Sequence, residues 1–576
     1  MTIVSPELQS RYGKPARIVA IVGAAIMVFA PMVPWVYTGK ILDDMRRAFD
    51  PSGLQILFEL VALVLLGVLV TSMFGVKLGK YKNVVAWNST ALAASLGGLG
   101  YIAAIVLAVA VVGSQKGLGG LAAAEPGLWI ALAGSVIASA GSVFLRKSPR
   151  ATLAKVPSPA WVQILALVAV VAMVLFMAAF AVNLTEVESF LVCCVFIVAA
   201  VFVFRATGVM GWLSIATANN RKVLMLAAFA AAFIFPATQD GSDANMTVVA
   251  QVLIFAGTAL GLNIVVGLAG LLDMGYIAFL GAGAFTAAVL SRSAYATFSI
   301  DLPFPVVVLI SGTVAALFGL LIGSPTLRVS GDYLAIVTLA FGEIFRITMV
   351  NLDGTDGPNI THGSNGIPAI PNLDFFGFDF GKSHEIFGIT ITRQANYYLL
   401  LLVVIAIVIA VFANLNHSRI GRGWVAIRED EMAAEAMGVN TFTLKLLAFA
   451  GGAFLAGMVG AVKAYKDTSV TPDQFVFLES CFLLSAVVLG GMGTVMGVLI
   501  GATILKLLPE KLRFFDDYRM LIFGALLVVM MRFRPEGIVA DERRQMEFHD
   551  EDEELADEVE EELVTHHDLL NPEGGK

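Results

Sequence analysis

Long apolar blocks recur throughout this chain of 576 residues, with short polar stretches between them. Most blocks hold about 18–25 residues, the length at which an α-helix crosses the hydrocarbon core of a bilayer. Lipid offers the backbone no hydrogen-bond partners, so open sheets are excluded, and the ten-residue alternation of a membrane barrel is absent. Only 14% of the residues are charged, against roughly 25% in soluble domains. The pattern predicts an all-α, polytopic integral membrane protein surrounded by membrane lipid.

The apolar blocks fall into two sets, which together predict about sixteen transmembrane segments, including broken or re-entrant helices. The first set of six lies at about residues 17–37, 54–76, 88–112, 127–145, 160–182 and 188–204. A polar break around Asn219 to Lys222 follows it. The second set of ten lies at about residues 223–236, 247–266, 274–291, 305–323, 331–350, 396–413, 441–463, 476–490, 494–508 and 518–532.

These sets predict three regions. Residues 1–222 form a six-helix N-terminal accessory membrane region, and residues 223–540 form a ten-helix core with a long internal loop at 414–440. Residues 541–576 hold most of the excess acid behind the formal net charge of -8. Such a run of like charges with few apolar residues predicts a solvated, disordered tail.

Basic residues indicate the orientation of the chain, because Lys and Arg concentrate in short cytoplasmic loops. With the N-terminus inside, the internal loops hold most of them: Arg11, Lys14, Arg17, Lys77, Lys80, Lys82, Arg146, Lys147, Arg150, Lys155, Arg205, Arg221, Lys222, Arg328, Arg419, Arg422 and Arg428. The inverted arrangement fits worse, although six basic residues fall outside: Lys40, Arg46, Arg47, Lys511, Arg513 and Arg519. Both termini are therefore predicted to be cytoplasmic.

Motifs for catalysis or energy conversion are missing from the sequence. No phosphate-cradling G-x-x-x-x-G-K-[ST] loop occurs, and the closest approach, Gly381-Lys382-Ser383, lacks the first glycine. Cys193, Cys194 and Cys481 have neither metal-ligand nor disulfide spacing. We therefore expect no catalytic residues, no metal, no cofactor bound by this chain and no nucleic-acid partner. Energy must come from a partner protein or an ion gradient.

The internal loop at 414–440 has the most specific pattern. It is basic at first and then amphipathic from Trp424 to Met437, and Gly438 suits a helix C-terminus. A charged turn opens the short helix, where acidic groups favour the N-terminus, and small alanines permit close approach of another protein. A solvated connecting loop is the alternative. The candidate docking residues are Arg428, Glu429, Asp430, Glu431, Ala433, Ala434, Glu435 and Gly438.

Four motifs in order resemble the branched-chain amino acid permease family of ABC importers, specifically the longer of its two permease subunits. They are ALGLNIVVGLAGLLDMGYIAFLGAGAFTAAVL (259–290), LRVSGDYLAIVTLAFGEIFR (327–346), AIREDEMAAEAMGVN (426–440) and VVLGGMGTVMGVLIGATILKLLPE (487–510). The resemblance covers about residues 245–540. It implies that the 428–438 segment is the loop that couples the permease to its ATPases. The consensus there is E-A-A and a later Gly; Met432 stands at the Glu position, so we expect a one-residue shift of the acidic contact.

The resemblance also implies the setting in which such a subunit works. We expect a second permease subunit, forming a heterodimer, two cytoplasmic ATP-binding subunits that hold ATP-Mg, and an extracytoplasmic solute-binding protein. The location implied is the cytoplasmic (inner) membrane of a prokaryote. The chain would be a transport subunit without an ATPase site of its own, and not an enzyme. The N-terminal region and the acidic tail exceed the usual family length, and nothing assigns them a function.

The resemblance implies that branched-chain or related amino acids are translocated after delivery by the binding protein. Relatives handle urea, short amides or other small carboxylates, and the sequence does not choose among them. An ion-coupled secondary transporter is a different class, in which Asp273, Glu343 and Asp332 would form a proton or Na⁺ site. A membrane enzyme or scaffold with Glu343 and Arg346 as an active pair has no supporting motif.

Polar groups inside spans are costly and are therefore candidate pathway residues. Glu343 and Arg346 are three residues apart and can simply neutralise each other, whereas Asp273 and Asp332 stand where helices start and can act as caps. Glycines usually serve close helix packing, but the 490–493 turn between two half-length blocks indicates a broken helix. The candidates are Asn263, Asp273, Tyr276, Asp332, Tyr333, Glu343, Arg346, Gly490, Gly491 and Gly493.

The external loop, about Asn351 to Gln394, is rich in Gly, Asn, Asp and Pro and predicts irregular turns at the surface. It resembles the family's T-G-G-x-x-G-I turn, but an insertion containing His362 splits that turn. We predict that this loop contacts the binding protein. The candidate residues are Gly357, Pro358, Asn359, Asn365 and Gly366.

Overall fold

A computed structural model gives the fold of most of the chain. The structure describes residues 6–36, 52–74, 85–145, 158–239, 241–326 and 332–511, except 116, 118, 185, 301, 356–357, 376 and 387–388, together with 521, 524–525, 528–529, 532 and 537–539. Within these residues, thirteen helices are long and apolar enough to cross a membrane. The predicted fold class is confirmed: the protein is an all-α, multi-pass membrane protein. The acidic tail at 541–576 and most of the last predicted span lie outside the described residues.

The chain divides into two compact units, residues 1–240 with 511–514, and residues 241–510 with 515–576. The helices of the first unit are α1 (Pro6–Phe29), α2 (Gly53–Phe74), α3 (Trp87–Gln115), α4 (Pro126–Val143), α5 (Ala160–Asn183), α6 (Val187–Thr207), α7 (Val209–Asn219) and α8 (Arg221–Ile234). Each of the six predicted N-terminal spans coincides with one of α1 to α6. The predicted boundary at residue 222 falls at the start of α8, which packs against α5 within this unit.

Small residues allow close packing in the first unit. A Cβ atom on Gly23 would overlap the backbone of Ala138, and one on Gly141 would overlap the backbone of Ala20, so α1 and α4 touch along their backbones. A buried aromatic group fills the adjacent space. The Trp35 and Phe58 rings lie 5.5 Å apart, and the Tyr101 hydroxyl donates to the Leu54 carbonyl at 2.8 Å.

The second unit is built around one long central helix. Its helices are α9 (Asp243–Asn263), α10 (Ile277–Leu290), α11 (Phe304–Thr326), α12 (Asp332–Asn351), α13 (Arg393–His417), α14 (Arg419–Glu429), α15 (Glu431–Ala436), α16 (Thr441–Asp467), α17 (Phe477–Gly490) and α18 (Val495–Lys511). Helix α16 packs against α9, α10, α11 and α13. At 1.5 Å per residue its 27 residues span about 40 Å, so it crosses the whole membrane.

The external loop differs from the predicted irregular turns, because it contains two small antiparallel hairpins. Strands β1 (Asp374–Phe375) and β2 (Phe378–Asp379) form one hairpin, and β3 (His384–Ile386) and β4 (Ile389–Ile391) form the other. Aromatic and β-branched residues favour extended backbone there, and Gly377 takes the left-handed conformation (φ +81°) that the first turn requires. Gly and Pro are so frequent across the whole loop that the sequence pattern predicts irregular turns and not these two short hairpins.

Candidate functional site

Helices α14 and α15 form two short consecutive helices where the sequence predicts one. Their starts are set by side-chain caps: Ser418 accepts the N–H of Gly421 at 3.1 Å, and Asp430 accepts the N–H of Ala433 at 2.9 Å. The chain leaves α15 through Gly438, whose φ of +87° suits only glycine well. Arg428 and Glu429 therefore end α14, and Asp430 begins α15.

Helix α14 is anchored inward by two contacts. The Trp424 indole is 1% exposed and donates to the Leu444 carbonyl at 2.7 Å, which fixes α14 against the start of α16. The Arg428 guanidinium donates to the Gly267 carbonyl at 2.8 Å and pairs with Glu429 at 2.7 Å. Arg428 thus faces the interior of the unit, although the sequence analysis groups it with the docking residues.

Helix α15 presents an exposed apolar surface. Met432 is 80% exposed and Met437 is 85% exposed, and Ala433 and Glu435 are exposed beside them. Ala434 is buried and faces the protein's own helices. Glu431 pairs with Lys445 of α16, so the helix is held at one end by an ion pair. Flexible methionines and small residues make this a surface on which another protein can pack closely.

The polypeptide between α9 and α10 is a broken helix. Helix α9 ends in a π-helical turn, Ile264–Leu268, and the chain then runs without regular structure until α10 begins at Ile277. This stretch is almost wholly buried. Irregular backbone at membrane depth is tolerated where it is buried in protein or lines a cavity, and π-turns are frequent at functional sites.

A second break separates α17 from α18, as the sequence predicts. The turn runs through Gly490, Gly491 and Gly493, with φ of +121° at Gly491 and +82° at Gly493. A Cβ atom on Gly491 would overlap the Val539 carbonyl oxygen. Glycine is thus required at Gly491 by both its backbone angle and its neighbour.

Asn263 joins the two breaks. Its Oδ1 accepts the N–H of Gly493 at 2.8 Å, and its Nδ2 donates to the Thr494 carbonyl at 3.3 Å. The side chain is fully buried. Asn263 therefore satisfies backbone groups that the break at 490–493 leaves without helical partners.

Asp273 and Tyr276 support the first break from within. Asp273 Oδ1 accepts the N–H of Gly275 at 2.9 Å, while its Oδ2 is buried with no hydrogen-bond partner. The Tyr276 hydroxyl donates to the Gly452 carbonyl at 2.6 Å, which ties the start of α10 to α16. The capping alternative for Asp273 agrees with this geometry, although the capped turn lies just before α10.

The remaining pathway candidates lie on α12. Glu343 and Arg346 form an ion pair at 2.5 Å, as the neutralising alternative predicts, and Arg346 also lies 3.6 Å from Asp473. Tyr333 is 71% exposed and is not brought to the breaks. The side chain of Asp332 lies outside the described residues.

A buried charge cluster at the end of α16 was missed by the sequence analysis. Lys463 lies 2.7 Å from Asp467, Lys466 lies 3.0 Å from the same carboxylate, and Lys463 donates to Gln474 at 2.6 Å. Both lysines are less than 10% exposed. Two lysines and one aspartate at helical spacing in an apolar block were the available signal. The cluster carries an excess positive charge at the end of α16 that adjoins the external loop.

The external loop is fastened to this end of α16. Ile367 exchanges two backbone hydrogen bonds with Val470, at 2.9 and 3.1 Å, and Gly366 has a φ of +66° and no space for a side chain. Pro358, Asn359 and Asn365 are exposed, and Gly357 lies outside the described residues. The backbone N–H and hydroxyl of Thr355 hold the pKa of Asp353 below its usual range.

No group of three or more His, Cys, Asp or Glu side chains suitable for a metal occurs within the part of the chain that the structure describes. The polar groups around the breaks include backbone amides and carbonyls and the side chains of Asn263, Asp273, Tyr276 and Arg428. Such an arrangement can position helix ends and contact a small polar solute.

Comparisons with known proteins agree with this architecture. The profile of the family described as branched-chain amino acid transport system, permease component, matches residues 244–531. The high-affinity branched-chain amino acid transport system permease protein LivM of Salmonella typhimurium is 37% identical over 339 residues, 57% of this chain and 77% of that protein. LivH of the same organism, another permease protein of that system, is 28% identical over 183 residues, 31% of this chain and 58% of LivH.

A further relative is the ribose import permease protein RbsC of Haemophilus influenzae, 29% identical over 301 residues, 50% of this chain and 83% of that protein. No solved structure matches the chain. The matched residues include α14, α15 and both helix breaks, and the identity to LivM extends over most of that protein's length. The chain belongs to the branched-chain amino acid transport system permease family, and within it is similar to the longer, M-type subunit.

Proposed function

We propose that this protein is the transmembrane permease subunit of an ATP-driven importer for branched-chain amino acids. The main support for the proposal is the exposed surface of α15. The preceding helix, α14, contacts the first helix break directly through the hydrogen bond between Arg428 and Gly267. A partner that moves α15 therefore acts on the break with only α14 between them. The names of LivM and LivH support branched-chain amino acids as the solute.

The proposed partners occupy opposite ends of the second unit. Two ATP-binding subunits lie on the cytoplasmic side, where α15 is this chain's docking element, and a solute-binding protein docks on the external loop. A second permease subunit completes a heterodimer, since Salmonella typhimurium has two related proteins, LivM and LivH, named as permeases of one transport system. ATP and magnesium bind to the partner subunits. The protein lies in the cytoplasmic membrane with both termini inside.

The mechanism follows from how α14 and α16 are joined. Closure of the ATP-binding subunits displaces α15, and the contacts of Trp424 and Arg428 transmit that displacement to α16 and to the π-turn. Asn263 passes movement of the π-turn to the break at 490–493. The two breaks shift together, and the pathway opens to the opposite side of the membrane.

Other solutes and other classes are not favoured. The 37% identity to LivM, named for branched-chain amino acids, exceeds the 29% identity to RbsC, named for ribose. An ion-coupled transporter with a site made of Asp273, Glu343 and Asp332 gains no support, because Glu343 is paired with Arg346.

Uptake of radiolabelled leucine into proteoliposomes tests the proposal. The protein is reconstituted with candidate ATP-binding subunits, a second permease and a solute-binding protein from the same organism. We expect vanadate-sensitive, protonophore-resistant uptake that disappears in Met437→Glu, because a charge replaces an apolar contact with the ATP-binding subunits. Uptake by this protein alone, or full uptake by Met437→Glu, would contradict the proposal.

A labelling experiment tests the orientation separately. In a background of Cys193→Ala, Cys194→Ala and Cys481→Ala, Met437→Cys is expected to react with an impermeant maleimide only after the membrane is opened. Phe378→Cys, at the exposed β1–β2 hairpin, is the matched control and is expected to react in intact cells. The opposite labelling of the two cysteine variants would place α15 on the external side of the membrane and would contradict the proposal.

A further inference from the structure

A groove in the first unit has the shape and polarity of a lipid site. It lies between α3, α6 and the end of α4 and has a volume of about 560 Å³. Its lining residues are Asn88, Ser89, Leu92, Ala93, Leu96, Gly97, Gly100, Ser142, Leu145, Val195, Val198, Ala199 and Phe202. Leu96, Val198 and Phe202 are 45%, 55% and 62% exposed, so the groove is flanked by apolar side chains that face the membrane.

The length of the groove corresponds to one leaflet. From Asn88 to Gly100 it follows α3 for about twelve residues, or about 18 Å at 1.5 Å per residue. Half of a hydrocarbon core of roughly 30 Å is about 15 Å. Asn88 stands one residue after Trp87, which begins α3, and tryptophan is typical of the interface between lipid and water. The groove therefore extends from the headgroup level to near the middle of the bilayer.

The interfacial end of the groove is polar. Arg17 donates to Asn88 Oδ1 at 3.4 Å, and Arg17 Nε is buried with no hydrogen-bond partner. Ser142 is 1% exposed, lines the groove, and its hydroxyl oxygen likewise has no partner. The Arg17 guanidinium therefore lies at or beside the end where a lipid headgroup would be. Arg17 Nε and the Ser142 hydroxyl oxygen are polar atoms there that have no hydrogen-bond partner.

The body of the groove has no such polarity. A Cβ atom on Gly97 would lie 2.9 Å from the Ala199 side chain, so Gly97 lets α3 and α6 approach closely. A Cβ atom on Gly100 would have nothing within 4 Å, so space remains open there. In a bilayer an open apolar groove is filled by an acyl chain, because a void would forfeit dispersion contacts. An acyl chain gains little free energy when it moves from the surrounding lipid into the groove. Selection of one lipid over another must therefore come from the polar end of the groove.

We infer that the first unit binds one anionic phospholipid, with an acyl chain in this groove and its phosphate at Arg17. The basic residues of the adjacent loops lie on the predicted cytoplasmic side, which makes this a lipid of the inner leaflet. This site shares no residue with the candidate solute pathway and gives the N-terminal unit a role in binding anionic membrane lipid.

Photolabelling of the full-length protein tests the site. Phosphatidylglycerol and phosphatidylcholine, each with a diazirine in one acyl chain, are compared in vesicles, and labelled peptides are located by mass spectrometry. We expect label within 88–100 and 195–202, with phosphatidylglycerol favoured about fivefold. That factor corresponds to about 1 kcal/mol per basic residue at an anionic surface.

Two variants separate the groove from the headgroup contact. Gly100→Leu fills the open space and is expected to lower labelling at these peptides at least fivefold for both lipids. Gly67→Leu, on an exposed face of α2 with nothing within 4 Å of its Cβ position, is the matched control and is expected to label normally. Arg17→Gln is expected to abolish the preference for phosphatidylglycerol while leaving total labelling unchanged.

Several results would overturn the inference. Equal labelling by both lipids in the unchanged protein would remove the headgroup site, and unchanged labelling in Gly100→Leu would show that the groove is not occupied. If Gly100→Leu fails to assemble, the lipid preference of Arg17→Gln decides the question alone. A preference that survives in Arg17→Gln would also contradict it.

Discussion

Asn263 and Gly493 are hydrogen-bonded at 2.8 Å although 230 residues separate them along the chain. Each stands at a break in a membrane helix, Asn263 at the end of α9 and Gly493 between α17 and α18. The bond makes one asparagine side chain the direct link between the two irregular segments. Under the proposed mechanism, these segments move as one body.

Replacing Asn263 with Ala should break this link. The N–H of Gly493 would lose its buried partner, which costs about 1–3 kcal/mol. We expect a lower unfolding temperature in detergent and a large loss of leucine uptake. Asn351→Ala is the control, because Asn351 is exposed and bonds only within its own helix. Equal stability and uptake in the two variants would remove the role of Asn263.

Arg428→Gln should uncouple the partners from the pathway. The shorter neutral side chain cannot keep both the Gly267 carbonyl and Glu429. We expect uptake to fall at least about tenfold, equivalent to about 1.4 kcal/mol of lost coupling, while the ATP-binding subunits still co-purify.

The control for Arg428 lies on the same helix. Arg422 is exposed and its guanidinium donates to the His417 carbonyl at 3.3 Å, so Arg422→Gln should transport normally. Loss of co-purification in Arg428→Gln would assign Arg428 to docking rather than to transmission.

Helix positions could be predicted from the sequence because a bilayer imposes length and hydropathy on every span. The block predicted at 127–145 is helix α4, Pro126–Val143, and the block at 160–182 is α5, Ala160–Asn183. Breaks are visible where glycines mark them, as at 490–493. The π-turn at Ile264–Leu268 overlaps the end of the apolar block at 247–266 and contains no proline, so hydropathy gives no sign of it.

The candidate site was harder to predict than the fold. Asn263 was singled out as a costly polar residue, but its partner Gly493 belongs to a distant segment, and periodicity carries no information on such pairs. Arg428 was placed among the docking residues because it is charged, whereas its contact with Gly267 turns it inward. Tertiary contacts determine which way a side chain points, and a local sequence pattern carries no information on those contacts.

Asp467→Asn tests the charge cluster that sequence analysis missed. The substitution leaves Lys463 and Lys466 buried without a negative partner, and breaking a buried pair in this way costs about 3–5 kcal/mol. We expect poor yield or a markedly lower unfolding temperature. The triple replacement of Lys463, Lys466 and Asp467 by Met, Met and Leu should restore stability, and failure to do so would show that the cluster is not held by charge alone.

Two glycines of α16 give a matched pair for helix packing. A Cβ atom on Gly460 would overlap the Leu280 carbonyl oxygen of α10, whereas one on Gly451 has nothing within 4 Å. Gly460→Ala must therefore push α10 away from α16, and we expect loss of monodisperse protein on size-exclusion chromatography and of uptake. Gly451→Ala should be neutral or should raise the unfolding temperature, because Ala exceeds Gly in helix propensity by about 1 kcal/mol. If both variants behave alike, close contact between α10 and α16 is not what stabilises the second unit.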